Sequence, residues 1–281
     1  MDLPEDLGDG LVLRRAEPAD AGALVAFNAE MHREPGGDAT NAFIADWVRS
    51  LLAGGHPAVS PGDFLVVVDR GGEIVSSLAL LPETWAYGGV PFAVGRIEFV
   101  GTRPDHRRRG LVRRQMRVAH RWCAERGVPV QAISFALGSD HPVYRAIPDR
   151  LPRVRDPFAW YLRVSDLPGF LRRVAPVLEA RLAASVAPGH TGALRLGFYG
   201  DGLRLAFAGG RLDVAEAWEA EGPDDGGAWF PGLGFLQLLF GRRSLAELEH
   251  AGADCRVNAE EARVLLDALF PKRPSCVWPA V

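Results

Sequence analysis

Residues 95–115 read GRIEFVGTRPDHRRRGLVRRQ, and the fold follows from how this stretch is parsed. Ile97, Phe99 and Val100 favour extended backbone, and nothing before Thr102 breaks the run. Pro104 ends it, because a residue without an N–H and with a fixed φ suits a loop rather than a central strand. Arg107, Arg108, Arg109 and Gly110 then lead into a helix. Leu111, Val112, Met116, Ala119, Trp122 and Cys123 recur at spacings of three and four, which gives that helix one apolar face. The order is strand, basic glycine-containing turn, helix.

That order has a physical use. The first N–H groups of a helix lack partners within it, and the helix dipole favours negative charge there. A phosphate or pyrophosphate can accept from them. Gly110 removes a side chain that would hold the backbone away from such a ligand, and the three arginines add cationic donors. The same pattern also fits an ordinary strand–loop–helix with a solvated basic turn.

Thr102 to Leu111 resembles the acyl-CoA signature of the GNAT superfamily of N-acyltransferases: Arg or Gln, two residues, Gly, one residue, then Gly or Ala. Arg107 and Gly110 fill the first two fixed places. Val112 stands where Gly or Ala is usual, a departure found in the Eis-like (enhanced-intracellular-survival) acetyltransferases. It implies slightly tighter packing against the pyrophosphate. The resemblance is specific over residues 95–130 and weaker over the rest of the N-terminal half.

The chain has 281 residues, enough for one large or two ordinary domains, and 48% of them are hydrophobic, so a packed core is expected. The net charge of −3 argues against a general nucleic-acid binder, and no apolar run is long enough to insert into a membrane. Cys123, Cys255 and Cys276 are odd in number and far apart, so neither a disulfide framework nor a zinc cluster is expected. The acidic start lacks a signal-peptide core, which points to a soluble, cytoplasmic protein. Assembly into a homo-oligomer is left open.

A strand at residues 11–13 precedes a helix from Ala21 to about His32, with Asp20 as its expected N-cap. A second helix carries Phe43, Ile44, Trp47, Val48, Leu51 and Leu52, with Thr40 as its expected cap. Strands at 64–68 and 74–81 flank a turn, and residues 85–94 form a hairpin broken by Gly88 and Gly89. After the signature helix a strand covers 128–135, a short helix is expected at about 140–147, and a strand covers 158–162. Pattern alone gives a mixed α+β domain; the resemblance makes it the GNAT fold, a mixed sheet flanked by helices.

Composition shifts near Asp166. One helix is expected over 167–184, then strands at 193–199, 203–208 and 211–217. Helices follow at 233–240, 245–250 and 259–270, the last capped by Asn258. This order resembles the smaller α+β sterol-carrier-like domain of Eis-like acetyltransferases. Longer relatives insert a second GNAT-like domain between the two, for which this chain is too short. The expected domains are 1–165 and 166–281.

Making an amide from a thioester requires a deprotonated amine, donors for the carbonyl oxygen and a stabilised leaving thiolate. The resemblance assigns the polarising backbone N–H to Val100, with Phe99 and Gly101 beside it. It also implies that the strand carrying Ile133 and Ser134 diverges to admit pantetheine. Acyl-CoA contacts are expected from Phe99, Val100, Gly101, Arg107, Arg108, Arg109, Gly110, Leu111 and Val112. Arg113, Arg114, Arg117 and Arg121 either reach the adenosine phosphate or form a solvated face. Glu98 is either a general base or a solvent-facing or Arg96-paired glutamate. The resemblance makes Tyr144 the proton donor to the thiolate, although Ala146-Ile147-Pro148 stands where the family has a Gly-Phe pair; His141 is the alternative. The tail ending at Val281 has three prolines and apolar surface to bury. In Eis-like enzymes the terminal carboxylate enters the transferase site, which assigns Val281 a catalytic role; the alternative is packing alone. Trp47, Trp85, Trp160, Trp218, Trp229 and Trp278 are either acceptor-cleft or core residues. The expected co-substrate is acetyl-CoA, with an amine acceptor and no metal. The competing reading is an acyl-CoA- or lipid-binding protein with a degenerate transferase domain.

Overall fold

In the computed structural model, residues 3–33, 39–54, 56–136, 158–231, 233–252 and 254–274 are described. The chain divides into two compact units, one from Met1–Thr84 and Ala93–Ser165, the other from Trp85–Phe92 and Asp166–Val281. The first unit is built on a seven-stranded sheet in simple sequence order. Its strands are β1 Glu5–Gly8, β2 Leu11–Arg15, β3 Phe64–Val68, β4 Ile74–Tyr87, β5 Val90–Thr102, β6 Val130–Ala136 and β7 Phe158–Val164. β5 and β6 run parallel, connected through helix α3, Leu111–Glu125, because a parallel pair needs a crossover. β6 and β7 are antiparallel.

Every residue of β3 is buried, as expected of a strand covered on both faces. Phe64, Val66 and Val68 join a core with helices α1, Ala21–Met31, and α2, Ala42–Leu52. Leu65 and Val67 point the other way, into a core with Leu111, Val118, Ala119 and Trp122 of α3. Two guanidinium groups also lie over the Trp122 ring, Arg15 at 3.9 Å and Arg126 at 5.4 Å from its centroid. Cys123 is free and buried, and burial pushes its thiol up to about 11.

The expected caps are corrected. Asp20 does not cap α1; its carboxylate takes two bonds from Arg14, at 2.7 and 2.9 Å, and one from the Glu17 N–H at 2.7 Å. Asn41, not Thr40, caps α2, accepting from the Ile44 N–H at 3.1 Å. Asn258 donates to the Pro223 and Gly226 carbonyls instead of capping the last helix.

In the second unit the expected helix over 167–184 is two helices, α4 Leu167–Arg173 and α5 Ala175–Ala183. Pro176 is the cause: it has no N–H for the Arg172 carbonyl and its ring crowds that group. A five-stranded sheet has the order β10-β9-β8-β11-β12. Its members are β8 Gly192–Gly197, β9 Gly202–Ala208, β10 Arg211–Ala217, β11 Ala228–Trp229 and β12 Arg256–Val257. The last two are too short to read from pattern. Helices α6 Gly234–Leu239, α7 Leu245–Ala251 and α8 Glu260–Leu269 complete it.

The tip of the β4–β5 hairpin belongs to this second unit. Phe92 and Tyr87 pack edge-on to Phe170 at 5.1 and 5.9 Å. The buried Tyr87 hydroxyl donates to the Leu239 carbonyl at 2.8 Å and accepts from Arg181 at 2.9 Å. Arg181 also donates to the Leu269 carbonyl at 2.7 Å, so one phenol and one guanidinium satisfy two helix ends. Tyr87→Phe should destabilise the unit by about 1–3 kcal/mol, since it strands buried partners without changing shape. Denaturant unfolding measures this, and an unchanged midpoint would show that the network contributes nothing to stability.

Candidate active site

The site is organised by a break in the alternation of β5. Ile97 lies in the α3-side core, whereas Phe99, two residues on, lies in the α1–α2 core. Residues two apart in a regular strand share a face. Here they do not, because Phe99 has φ of +52°, a left-handed conformation rare for a bulky residue. Val100 accordingly returns to the α3-side core. The conformation costs about 1–3 kcal/mol and persists only where packing enforces it. The Phe99 ring is held by Trp47 at 4.7 Å, Phe64 at 6.0 Å and His32 at 6.3 Å.

The bulge lies beside an opening in the sheet. β5 and β6 pair only from Val94↔Val130 to Ile97↔Ile133. β5 runs on to Thr102 and β6 to Ala136, unpaired with each other, while β6 stays paired to β7 throughout. The two strands therefore separate at Glu98, immediately ahead of the bulge.

Beyond β5 the chain turns through Pro104–His106 and enters α3 at Gly110. Gly110 is the N-cap, with φ of +75°, so no N-cap side chain bonds the first N–H groups of α3. A Cβ there would meet nothing within 4 Å. Glycine is needed for its backbone conformation, and the surface in front of it is open. Arg107, Arg108 and Arg109 are exposed around it. Arg107 donates from Nε to the Thr102 carbonyl at 3.2 Å, and Arg108 is itself left-handed at φ +63°. Arg109 pairs with Asp9 at 2.7 Å, so it is partly engaged already. The Leu111 side chain is core, which leaves only its N–H for a ligand; Val112 is half-buried. Arg114 bonds Glu5 at 2.6 Å, while Arg113 and Arg117 are exposed.

Glu98 is the partner of Arg96. The Arg96 side chain is 1% exposed and donates from Nε to Glu98 Oε1 at 2.6 Å and from Nη1 to Glu83 Oε1 at 3.0 Å. A base role for Glu98 has to be exercised from within that cluster. Gly101 abuts α1, where a Cβ would come within 3.1 Å of Met31. Among the tryptophans named from sequence, Trp47 lies against Phe99, whereas Trp85, Trp218 and Trp229 belong to the second unit. Tyr144, His141, Trp278 and Val281, and the side chain of Trp160, lie outside the described residues.

Sequence reasoning missed Asn28, Ser76, Ser77 and Gln115, all fully buried. A polar residue inside an apolar run or stripe was the available signal, and each of the four carries it.

A mixed sheet, a bulged strand diverging from its parallel neighbour, and a glycine-capped helix behind it form a known architecture. The fold is that of the GNAT acyltransferases. Residues 26–147 match the family model described as acetyltransferase (GNAT) domain. Among solved structures, a GCN5-related N-acetyltransferase from Kribbella flavida is 16% identical with a TM-score of 0.58, over 94% of this chain and 96% of that one. A GCN5-related N-acetyltransferase from Anabaena variabilis is 12% identical with a TM-score of 0.54, over 94% and 98%. Eis1 from Mycobacterium abscessus is 13% identical with a TM-score of 0.54, over 92% and 97%. None of the curated proteins matches the sequence. Among the described residues no helix is long and apolar enough to cross a membrane, and no group of three His, Cys, Asp or Glu residues could hold a metal ion.

Proposed function

We propose that the chain is an N-acetyltransferase that moves an acetyl group from acetyl-CoA to an amine by direct attack on the thioester. The observation that carries this reading is the separation of β5 from β6 after Ile97 and Ile133, beside the inverted Phe99. In that gap a pantetheine arm can take the place of a strand partner. The open, basic N-terminus of α3 suits the pyrophosphate, with Arg107 and Arg108 exposed just ahead of it and Arg109 already paired with Asp9.

The chemistry then runs as follows. The amine nitrogen attacks the thioester carbon, and the carbonyl oxygen takes the negative charge, received by the Val100 N–H. The C–S bond breaks, the amide forms, and the thiolate takes a proton from Tyr144. Before the attack the acceptor gives its ammonium proton to Glu98, directly or through water; the second proton leaves the nitrogen as the amide forms and, through solvent, restores the Tyr144 hydroxyl. Tyr144→Phe should lower kcat by at least about 10²-fold with acetyl-CoA affinity unchanged. Full activity in the variant moves the role to His141 or to solvent. The second unit is read as a sterol-carrier-like domain, on the order helix, antiparallel strands, helices. The protein is proposed to work in the cytoplasm.

The deciding experiment mixes the protein with acetyl-CoA and a panel of primary amines, following free thiol release and acetylated product, beside a fatty-acid binding assay. Transfer to an amine supports the proposal. Fatty-acid binding without transfer to any amine would replace it with the lipid-binding reading.

A further inference from the structure

Two adjacent hydroxyls on β4 grip the bulge, one from each face of the sheet. Ser77 Oγ lies 3.0 Å from the Phe99 carbonyl oxygen and 3.1 Å from Asn28 Oδ1 of α1. Its single proton faces both acceptors, a three-centre bond that ties α1 to the bulge. Asn28 is oriented by donating to the Leu24 carbonyl at 2.9 Å. On the other face Ser76 Oγ lies 2.9 Å from the Gly101 carbonyl oxygen, from Thr102 Oγ1 and from Gln115 Oε1 of α3. Gln115 donates in turn to the Leu65 carbonyl at 3.1 Å.

All four side chains are 0% exposed, and the two serines stand in a strand whose other members from Ile74 to Leu81 are buried apolar residues. Polar groups are costly in such a place unless they are bonded, and apolar residues would pack it without that requirement. Their bonds converge on the carbonyls of Phe99 and Gly101, the two that flank the Val100 residue. The Phe99–Val100 peptide is planar, so its N–H is antiparallel to its C=O. With the carbonyl held toward β4, the Val100 N–H faces away from β4. In the order β4-β5-β6 that is the side on which β6 has separated from β5.

We infer that Ser77, with Asn28 behind it, is a positioning residue for acyl transfer: by fixing the Phe99 carbonyl it aims the Val100 N–H at the thioester oxygen. Ser76 reaches the Gly101 carbonyl from the opposite face, and Gln115 Oε1 lies against the same hydroxyl, so the backbone is also held just beyond Val100. A donor fixed before charge develops stabilises the oxyanion without reorganising. This inference rests on the acyl-thioester reading of the site.

The test uses the full chain with acetyl-CoA labelled with ¹³C at the thioester carbonyl. Ser77→Ala, assayed well below its unfolding midpoint, should lower kcat by about 10- to 100-fold, a fraction of the loss seen when an oxyanion donor is removed. Its acetyl-CoA Kd should stay within about twofold, because the phosphates bind elsewhere. Ser77→Thr keeps the hydroxyl and should restore most of kcat. Ser77→Cys keeps the shape with a weaker donor, should lower kcat several-fold, and serves if the alanine variant does not fold. Infrared difference spectra should show the labelled carbonyl shifted to lower frequency by the wild type and shifted less by Ser77→Ala and Ser77→Cys. Wild-type kcat, or an undiminished carbonyl shift, in those variants would overturn the positioning role alone. A wild-type protein that neither shifts the carbonyl nor transfers the acetyl group would overturn the reading beneath it.

Discussion

Gly110→Asp should remove acetyl-CoA binding while leaving the fold intact, and Gly110→Asn should not. Position 110 is the N-cap of α3, left-handed at φ +75°, with open space where a side chain would go. Asp and Asn are the residues that best tolerate a left-handed backbone, and both are good N-caps. Either substitution can therefore bond the first N–H groups of α3 and hold thermal stability close to that of the parent. They differ in charge. An aspartate carboxylate about 4 Å from a phosphate repels it by about 4 kcal/mol at an effective dielectric of about 20, or about 10³-fold in affinity. The neutral asparagine competes for the same N–H groups without that repulsion, so it should weaken binding much less. Calorimetric titration with CoA reads both. Equal affinity in the two variants would show that no phosphate approaches this turn.

Arg96→Met should destabilise the first unit by about 3–5 kcal/mol at neutral pH, a large share of the roughly 5–15 kcal/mol typical of a folded protein. Arg96 is 1% exposed and bonds both Glu83 and Glu98. Methionine fills much of the space but removes the guanidinium that both partly buried carboxylates bond. Adding Glu83→Gln and Glu98→Gln should recover much of the lost stability, because neutral groups depend less on a guanidinium beside them. Urea unfolding measures both effects. A loss below about 1 kcal/mol at neutral pH would mean that the cluster is as weakly coupled as an exposed ion pair.

Much of the first unit is legible in the sequence because its signals are local. Gly110 after three arginines, and apolar residues every three or four from Leu111, report a turn and an amphipathic helix without knowledge of the rest of the chain. Pro104 reports the end of β5 in the same way. The hairpin glycines and the all-apolar β3 belong to this class. The caps are not legible, because several polar residues stand near each helix start and the tertiary partner selects among them. Arg14 draws Asp20 away from α1, and the path of the chain presents Asn41 instead of Thr40.

By itself the sequence determined the strand–turn–helix unit, the basic open turn and the α+β class, since each follows from the residue's own backbone preference or from a short-range period. Only the tertiary structure decided the bulge. In sequence Ile97 and Phe99 read as two residues on one face, and φ of +52° at Phe99 is visible only once Trp47, Phe64 and His32 surround its ring. The same holds for Ser76, Ser77, Asn28 and Gln115, whose burial is offset by partners 22 to 50 residues away in the chain. It holds too for Glu98, left open in sequence between base and partner and found bonded to a buried arginine. These features rest on contacts between elements distant in sequence. The preference of any one residue is worth less than the packing of several rings and the satisfaction of several buried bonds at once.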